Sequence, residues 1–133
     1  MKRPSFQFYP QDWLADTDLR CCSMEARGLW IDLLCLMHQG EPYGHLTFKG
    51  YSYATATDVA TALVRCINRV TGADVRIIKR VLIELEEAKI FSKTEAGIIF
   101  SRRMVQDEQT RQLRINAGFK ALENPNVPKP RYT

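Results

Sequence analysis

Apolar side chains recur at helical spacing in three stretches of the chain, residues 23–39, 57–70 and 75–88. This period is typical of amphipathic helices that bury one face. The first stripe is the widest, and its width fits two roles: a central buried helix, or a helix that also contacts a second copy around Trp30 and Leu34. We therefore expect a core of three helices and keep both roles open for the first.

Polar residues at the start of these stretches predict where the helices begin. Ser23, Thr57 and Asp74 are the predicted N-caps, since a side-chain oxygen at that position accepts a hydrogen bond from a backbone N–H of the first turn. A short helical turn before the first long helix is predicted to be capped by Thr17 or Asp18. Another short helix is expected before it, over residues 10–16, because proline suits the first helical position.

Strands and turns are predicted between and after the helices. Gly40 is expected to end the first long helix in a left-handed conformation. A short strand is expected at 46–48, and a hairpin of strands 90–93 and 98–102 follows the third helix, with Gly97 at positive φ in its turn. Two helices joined by a short turn and followed by a hairpin are typical of a winged helix-turn-helix.

The predicted fold is therefore mainly α with a small β-hairpin, an α+β winged helix-turn-helix. We expect a winged-helix domain over residues 1–108 and a C-terminal tail over 109–133 that is partly helical and then flexible. A helix from 103 to about 113 has only a weak apolar period, and three prolines follow near the end. A chain of 133 residues is long enough to bury a core without disulfides or metals.

Charge is unevenly distributed along the chain. Residues 1–60 hold five basic and seven acidic residues, a net −2, whereas 61–105 hold nine and five, a net +4, and 106–133 hold five and three, a net +2. The basic excess thus lies on the half that contains the third helix and the hairpin. Such a bias favours association with a polyanion.

The third predicted helix carries a basic first half and an acidic second half. Arg76, Lys79 and Arg80 share its outer face, while three glutamates fall within residues 84–87. A helix that enters the major groove presents donors near its N-terminal end, so this polarity favours DNA contact by the first turns. The residues predicted to hold the DNA backbone are Arg65, Arg69, Lys93, Arg102 and Arg103.

Other chemistries find little support in the sequence. Cys35, His38 and His45 are too few for a zinc site, and the aspartates of segment 12–18 fit a capped turn better than a magnesium site. No nucleotide-binding loop or nucleophile elbow is present, so we predict neither an enzyme nor a cofactor or metal. The four cysteines form no CxxC pair and no signal peptide is apparent, which predicts a cytoplasmic protein with reduced, mostly buried thiols and no membrane partner.

Three blocks of the sequence resemble a known family. FQFYPQDWLADTDLRCCSMEARGLWIDLLCLMHQGEPYGHL resembles the opening of a phage- and prophage-encoded family of winged-helix proteins of unknown function. VRIIKRVLIELEEAKIF is similar to its third helix, and IFSKTEAGIIFSRRMVQDE to its wing, so the resemblance covers residues 4 to about 108. Members resemble in organisation the N-terminal domains of phage replication initiators, which implies a role near DNA replication.

Two functions follow as hypotheses. The first is a double-stranded-DNA-binding protein of a phage or mobile element, associated with replication. The second is a small phage protein that uses the winged helix to bind or inhibit a host replication or defence complex, because fold alone does not fix function. A phage or host replication protein is thus a further expected partner, and a homodimer remains an alternative.

Overall fold

The computed structural model describes residues 4–48, 50, 53–71 and 74–123. Over these residues the protein is mainly helical with one small antiparallel sheet, which confirms the α+β class. The elements in chain order are α1 (Pro10–Ala15), α2 (Thr17–Arg20), α3 (Met24–Met37), α4 (Ala56–Thr71), α5 (Val75–Glu87), β1 (Ser92–Lys93), β2 (Ile99–Phe100) and α6 (Arg102–Glu123).

The core lies between α3, α4 and α5, which contact one another pairwise. Leu33 of α3, Leu63 of α4 and Leu85 of α5 are 0% exposed. Burying a side chain of this size contributes about 1.5–3 kcal/mol, so these three helices hold the domain together. The predicted three-helix core is confirmed. The apolar period of α4 predicts Val59, Leu63, Ile67 and Val70 on its inner face; Val59 and Leu63 are buried, and the side chains of the other two lie outside those described.

Two of the predicted N-caps are confirmed. The Ser23 Oγ accepts a hydrogen bond from the Ala26 N–H at 3.1 Å, and the Asp74 carboxylate accepts one from the Ile77 N–H at 3.0 Å. Each cap satisfies a first-turn N–H that has no partner within its own helix. The entry points of α3 and α5 are therefore set by local sequence.

Two other predicted caps are wrong by one or two residues. Asp16, and not Thr17 or Asp18, caps α2 by accepting from the backbone N–H three residues on, at 3.2 Å. At α4 the hydroxyl of Thr55, and not that of Thr57, accepts the equivalent N–H at 3.1 Å. Both segments contain several residues that could cap a helix, within three positions of one another. In each, the cap is the residue that immediately precedes the first helical residue.

Gly40 does not end α3 in a left-handed conformation, contrary to prediction. The helix stops at Met37 with His38 in the right-handed region, and the positive φ of this loop, 82°, belongs to Gly44. Gly40 instead lies so close to the His45 carbonyl oxygen that a Cβ would overlap it. Glycine is used here for close approach of two backbone segments and not for its dihedral freedom.

The sheet is smaller than predicted. β1 and β2 are two residues each and pair antiparallel, with Ser92 opposite Phe100. The strand predicted at 46–48 is absent; one antiparallel bridge joins His45 to Phe100 on the other edge of β2. Gly97 does take a positive φ, 89°, in the hairpin turn as predicted.

The last helix is longer than predicted. The sequence predicts a helix from 103 to about 113, but α6 runs from Arg102 to Glu123. Ser101 precedes the helix and caps it, since its Oγ accepts a hydrogen bond from the Met104 N–H at 3.3 Å. The boundary predicted between 108 and 109 therefore falls inside a continuous helix. Residues 124–133 of the predicted tail lie outside the described part of the chain.

Candidate nucleic-acid interface

The inner face of α5 fixes which of its side chains point outward. Ile78, Val81, Leu82 and Leu85 are each 3% exposed or less. The apolar period of the sequence predicts Val81 only at the margin of this inner face, but the structure buries it with the others. With these four positions inside, helical geometry places Arg76 on the opposite face.

α5 is also tied to the start of α3 by polar contacts. The Ser23 N–H and Oγ both donate to one Glu84 carboxylate oxygen, at 3.0 and 2.9 Å. One turn earlier on α5, Arg80 forms an ion pair with Glu25 at 2.7 Å. These contacts fix the crossing of the two helices, and Glu84 is therefore structural in this fold.

The charge of the outer face of α5 changes from basic to acidic along the helix. Arg76 and Lys79 are exposed, and neither makes an ion pair with another described residue. Ile77 and Ile83 are 37% and 38% exposed, and Glu87 is exposed at the far end. The predicted polarity of the helix is therefore visible as a surface, basic at its N-terminal end and acidic at its C-terminal end.

The other basic residues near α5 are in different situations. Lys93 on β1 forms an ion pair with Glu86 of α5 at 2.7 Å, and both side chains are more than one-third exposed. Arg65 is exposed on α4, whereas the side chain of Arg69 lies outside those described. An exposed ion pair contributes about 0–1 kcal/mol, so Lys93 can exchange its carboxylate for a phosphate at little cost.

Arg102 and Arg103 are engaged away from α5. Arg102 donates to the Ser92 Oγ at 2.9 Å and to the Lys89 carbonyl oxygen at 2.8 Å, which ties the hairpin to the start of α6. Arg103 pairs with Asp12 at 2.7 Å and lies over the Tyr9 ring, 4.3 Å from its centroid. Arg102 therefore holds the hairpin that follows α5, whereas Arg103 lies beside α1.

A large groove was not anticipated from the sequence. It measures about 1160 Å³ and separates the extended residues 5–9 and α1 from α6. Trp30 and Leu34 lie at its base, and Arg102 and Arg103 are among its lining residues. The signal that points to it in the sequence is weak: the apolar stripe of α3 is wider than burial among three helices requires.

The thiols and acids give no sign of a catalytic or metal centre in the described residues. Cys22 is buried and burial raises the pKa of its thiol, with the Glu84 carboxylate adding to the effect, so its nucleophilic thiolate is disfavoured. Cys21 and Cys35 are exposed, so the prediction of mostly buried thiols is wrong for the described cysteines. No cluster of three metal-binding side chains occurs in the described ranges.

Comparison with known proteins adds no relatives to this picture. A scan against protein-family models, a search of curated proteins and a search of solved structures each found no match. Across the described part of the chain, no helix combines the length and the apolar character needed to cross a bilayer.

Proposed function

We propose that the protein is a DNA-binding winged-helix protein of a phage or mobile element, acting in the cytoplasm near DNA replication. In this proposal the first turns of α5 enter the major groove of a duplex. The observation that carries it is the exposed, basic N-terminal end of α5, where Arg76 and Lys79 make no ion pair with another described residue. Arginine and lysine at this end of a helix are suited to base edges and phosphates.

The order of the elements supports the winged-helix interpretation. α3 is followed by the bridge at His45, then by α4 and α5, and then by the β1–β2 hairpin. The His45 bridge and the hydrogen bond from the Leu46 N–H to the Ile99 carbonyl oxygen, 2.8 Å, place a third strand-like segment beside β2. In this arrangement α5 is the recognition helix and the hairpin is the wing.

The charges around α5 support a DNA-contact surface with fewer residues than the sequence predicts. Arg80 and Lys93 form exposed ion pairs, and such pairs contribute little free energy, so a phosphate can replace the carboxylate partner. We therefore include both residues with Arg76 and Lys79 in the proposed surface. Arg65 and Arg69 on α4 remain proposed backbone contacts. Arg102 and Arg103 are left out of the proposed DNA surface, because Arg102 holds the hairpin and Arg103 pairs with Asp12 of α1. The replication association is supported by the sequence resemblance over residues 4 to about 108.

A protein partner is a second candidate, favoured by the two exposed isoleucines of α5. Ile77 and Ile83 are more than one-third exposed, and the acidic end of the helix follows them. Ile83, with the exposed Glu86 and Glu87 three and four residues on, is suited to a protein surface such as a host replication or defence complex. A pull-down from host lysate that survives nuclease treatment and is lost with Ile83→Asp supports this candidate over the first.

Fluorescence anisotropy with labelled duplexes at two salt concentrations tests the DNA proposal. Changing Arg76, Lys79 and Arg80 to Ala is expected to lower affinity strongly and to reduce the salt slope by about 0.9 for each phosphate that the variant no longer neutralises. The control changes Arg111, Arg114 and Lys120 of α6 to Ala, which removes the same charge from another helix. Equal binding by the two variants contradicts the assignment to α5.

A further inference from the structure

The connection from α5 to β1 is a tight reversal of the chain. Lys89 has a φ of 59°, in the left-handed region, and its N–H donates to the Glu86 carbonyl oxygen at 3.0 Å. The Ile90 N–H donates to the Leu85 carbonyl oxygen at 3.1 Å, which completes a Schellman motif at the end of the helix. Because β1 begins only two residues after Ile90, the direction in which the hairpin leaves α5 is set within this reversal.

The guanidinium of Arg102 holds the reversal from the other end of the hairpin. One terminal nitrogen donates to the Ser92 Oγ at 2.9 Å, and the other donates to the carbonyl oxygens of Lys89 and Ile90 at 2.8 and 3.4 Å. Arg102 is the first residue of α6 and lies two residues after β2. The planar fork of arginine thus joins the end of α5, the first strand and the residues that follow the second strand.

Lys93 is the next residue after those that Arg102 holds. It follows Ser92 on β1, and its ammonium forms an exposed ion pair with Glu86 of α5 at 2.7 Å. Such a pair contributes little, and it is lost when Lys93 exchanges the carboxylate for a phosphate. The bonds from Arg102 go to uncharged acceptors and are unaffected by that exchange. They are therefore the contacts that keep β1 beside α5 while Lys93 binds DNA.

A direct contact between Arg102 and a phosphate is the alternative, since its side chain is exposed. Both terminal nitrogens of Arg102 are engaged, so a phosphate contact through them competes with hydrogen bonds inside the protein. Lys93 gives up only one exposed ion pair for the same contact. The geometry therefore favours Lys93 as the residue that contacts the phosphate and Arg102 as the residue that holds it in place.

We propose that Arg102 is a positioning residue for DNA binding, which holds the β1–β2 hairpin against the end of α5 and so places Lys93 beside the DNA backbone without contacting DNA itself. This inference rests on the proposed function. It assigns to Arg102 an effect on affinity that passes entirely through Lys93. Replacing Arg102 then costs the contact of Lys93, and costs nothing once Lys93 is absent.

A double-mutant cycle of Arg102→Ala and Lys93→Ala tests the proposal, with affinity for a labelled duplex measured by fluorescence anisotropy over a range of salt concentrations. Each single variant is expected to bind roughly fivefold more weakly and to reduce the salt slope by about 0.9, the loss of one phosphate contact. The double variant is expected to remain at roughly a fivefold loss, whereas independent effects give a loss of about 25-fold.

Two further variants separate positioning from charge. Arg102→Lys keeps the charge but not the fork, so it is expected to lose as much affinity and salt slope as Arg102→Ala. Arg103→Ala is the matched control, because it removes the same charge from the next residue, whose partner is Asp12 of α1. This control is expected to bind within about twofold of the wild type and to keep its salt slope.

Amide hydrogen exchange of the free protein measures the anchoring of the hairpin separately from DNA binding. The Thr94 N–H donates to the Ile98 carbonyl oxygen at 2.9 Å across the hairpin. Its exchange is expected to become roughly tenfold faster in Arg102→Ala and Arg102→Lys but not in Arg103→Ala. The amides of α3 are expected to keep their protection in all three variants, which verifies that they fold.

Three results overturn the proposal and leave the proposed function standing, as long as the wild type binds a duplex and the variant of Arg76, Lys79 and Arg80 does not. They are additive losses in the cycle, an Arg102→Lys variant that binds like the wild type, and unchanged exchange of the Thr94 N–H. A wild type that binds no duplex at low salt overturns the proposed function itself, and the role of Arg102 in DNA binding with it.

Discussion

Replacing Gly40 with alanine is expected to destabilise the protein strongly, because this glycine lets two backbone segments meet. A Cβ on Gly40 overlaps the His45 carbonyl oxygen and lies 3.2 Å from the Met37 carbonyl oxygen. Neither contact can be relieved by rotating a side chain, so the loop must move by roughly 1 Å to regain ordinary separations.

The energy of this change follows from the contacts of the loop. Displacing it strains the hydrogen bond from the Gly44 N–H to the Met37 carbonyl oxygen, 3.1 Å, and that from the Leu46 N–H to the Ile99 carbonyl oxygen, 2.8 Å. Each net hydrogen bond contributes about 1 kcal/mol, and residual overlap adds to the loss. We expect a loss of roughly 2–4 kcal/mol in the free energy of unfolding, or about 10 °C in Tm.

Chemical denaturation followed by circular dichroism measures the effect, with Gly28→Ala as the matched control. Gly28 lies inside α3, and a Cβ there has no atom within 4 Å. Alanine is a better helix former than glycine, so Gly28→Ala is expected to stabilise the protein by up to about 1 kcal/mol. If Gly40→Ala changes stability by less than about 0.5 kcal/mol, the close approach of this loop to His45 is wrong.

Two further predictions concern α3. A double-mutant cycle of Ser23→Ala and Glu84→Ala, followed by urea denaturation, is expected to give a coupling energy of about 0.5–1.5 kcal/mol, because the Ser23 Oγ donates a hydrogen bond to the Glu84 carboxylate. The hydrogen bond from the Ser23 backbone N–H is kept in Ser23→Ala, and additive effects contradict the side-chain contact. Burial raises the pKa of Asp32, so the folded state holds this proton more tightly than the unfolded state, and stability is lost as pH rises from the ordinary carboxyl pKa through the raised one. Asp32→Asn is therefore expected to stabilise the protein at pH 7 relative to pH 3, measured as the shift in urea midpoint at each pH, and an equal shift at both refutes a raised pKa.

The long helices were predictable from the sequence because each signal is local. Ser23 and Asp74 have the side chain and the spacing of an N-cap, and the apolar period of α5 identifies three of the four side chains it buries, Ile78, Leu82 and Leu85. The length of α6 was not predictable in the same way. Met104 near the start of α6 is buried, but Leu113, Phe119 and Leu122 are exposed, so the apolar period beyond the first turns is weak and does not mark where the helix ends.

The basic residues of the candidate site were predictable from the sequence, but their ion-pair partners were not. The sequence identifies Arg76 and Lys79 by their spacing on one helix face, and both are exposed in the structure. The partners of Arg80 and Arg103 are 55 and 91 positions away along the chain, at Glu25 and Asp12, and such long-range pairs follow from the packing of helices and not from local pattern. The groove beside α1 is likewise formed by segments from both ends of the described chain.

The most direct test of the central claim is an amide NMR titration of the labelled protein with a duplex that it binds. The account predicts that the largest shift changes fall on residues 74–80, at the start of α5, with smaller changes on the hairpin. Changes confined to the groove residues of α1 and α6, or an absence of changes at duplex concentrations well above the protein concentration, contradict it.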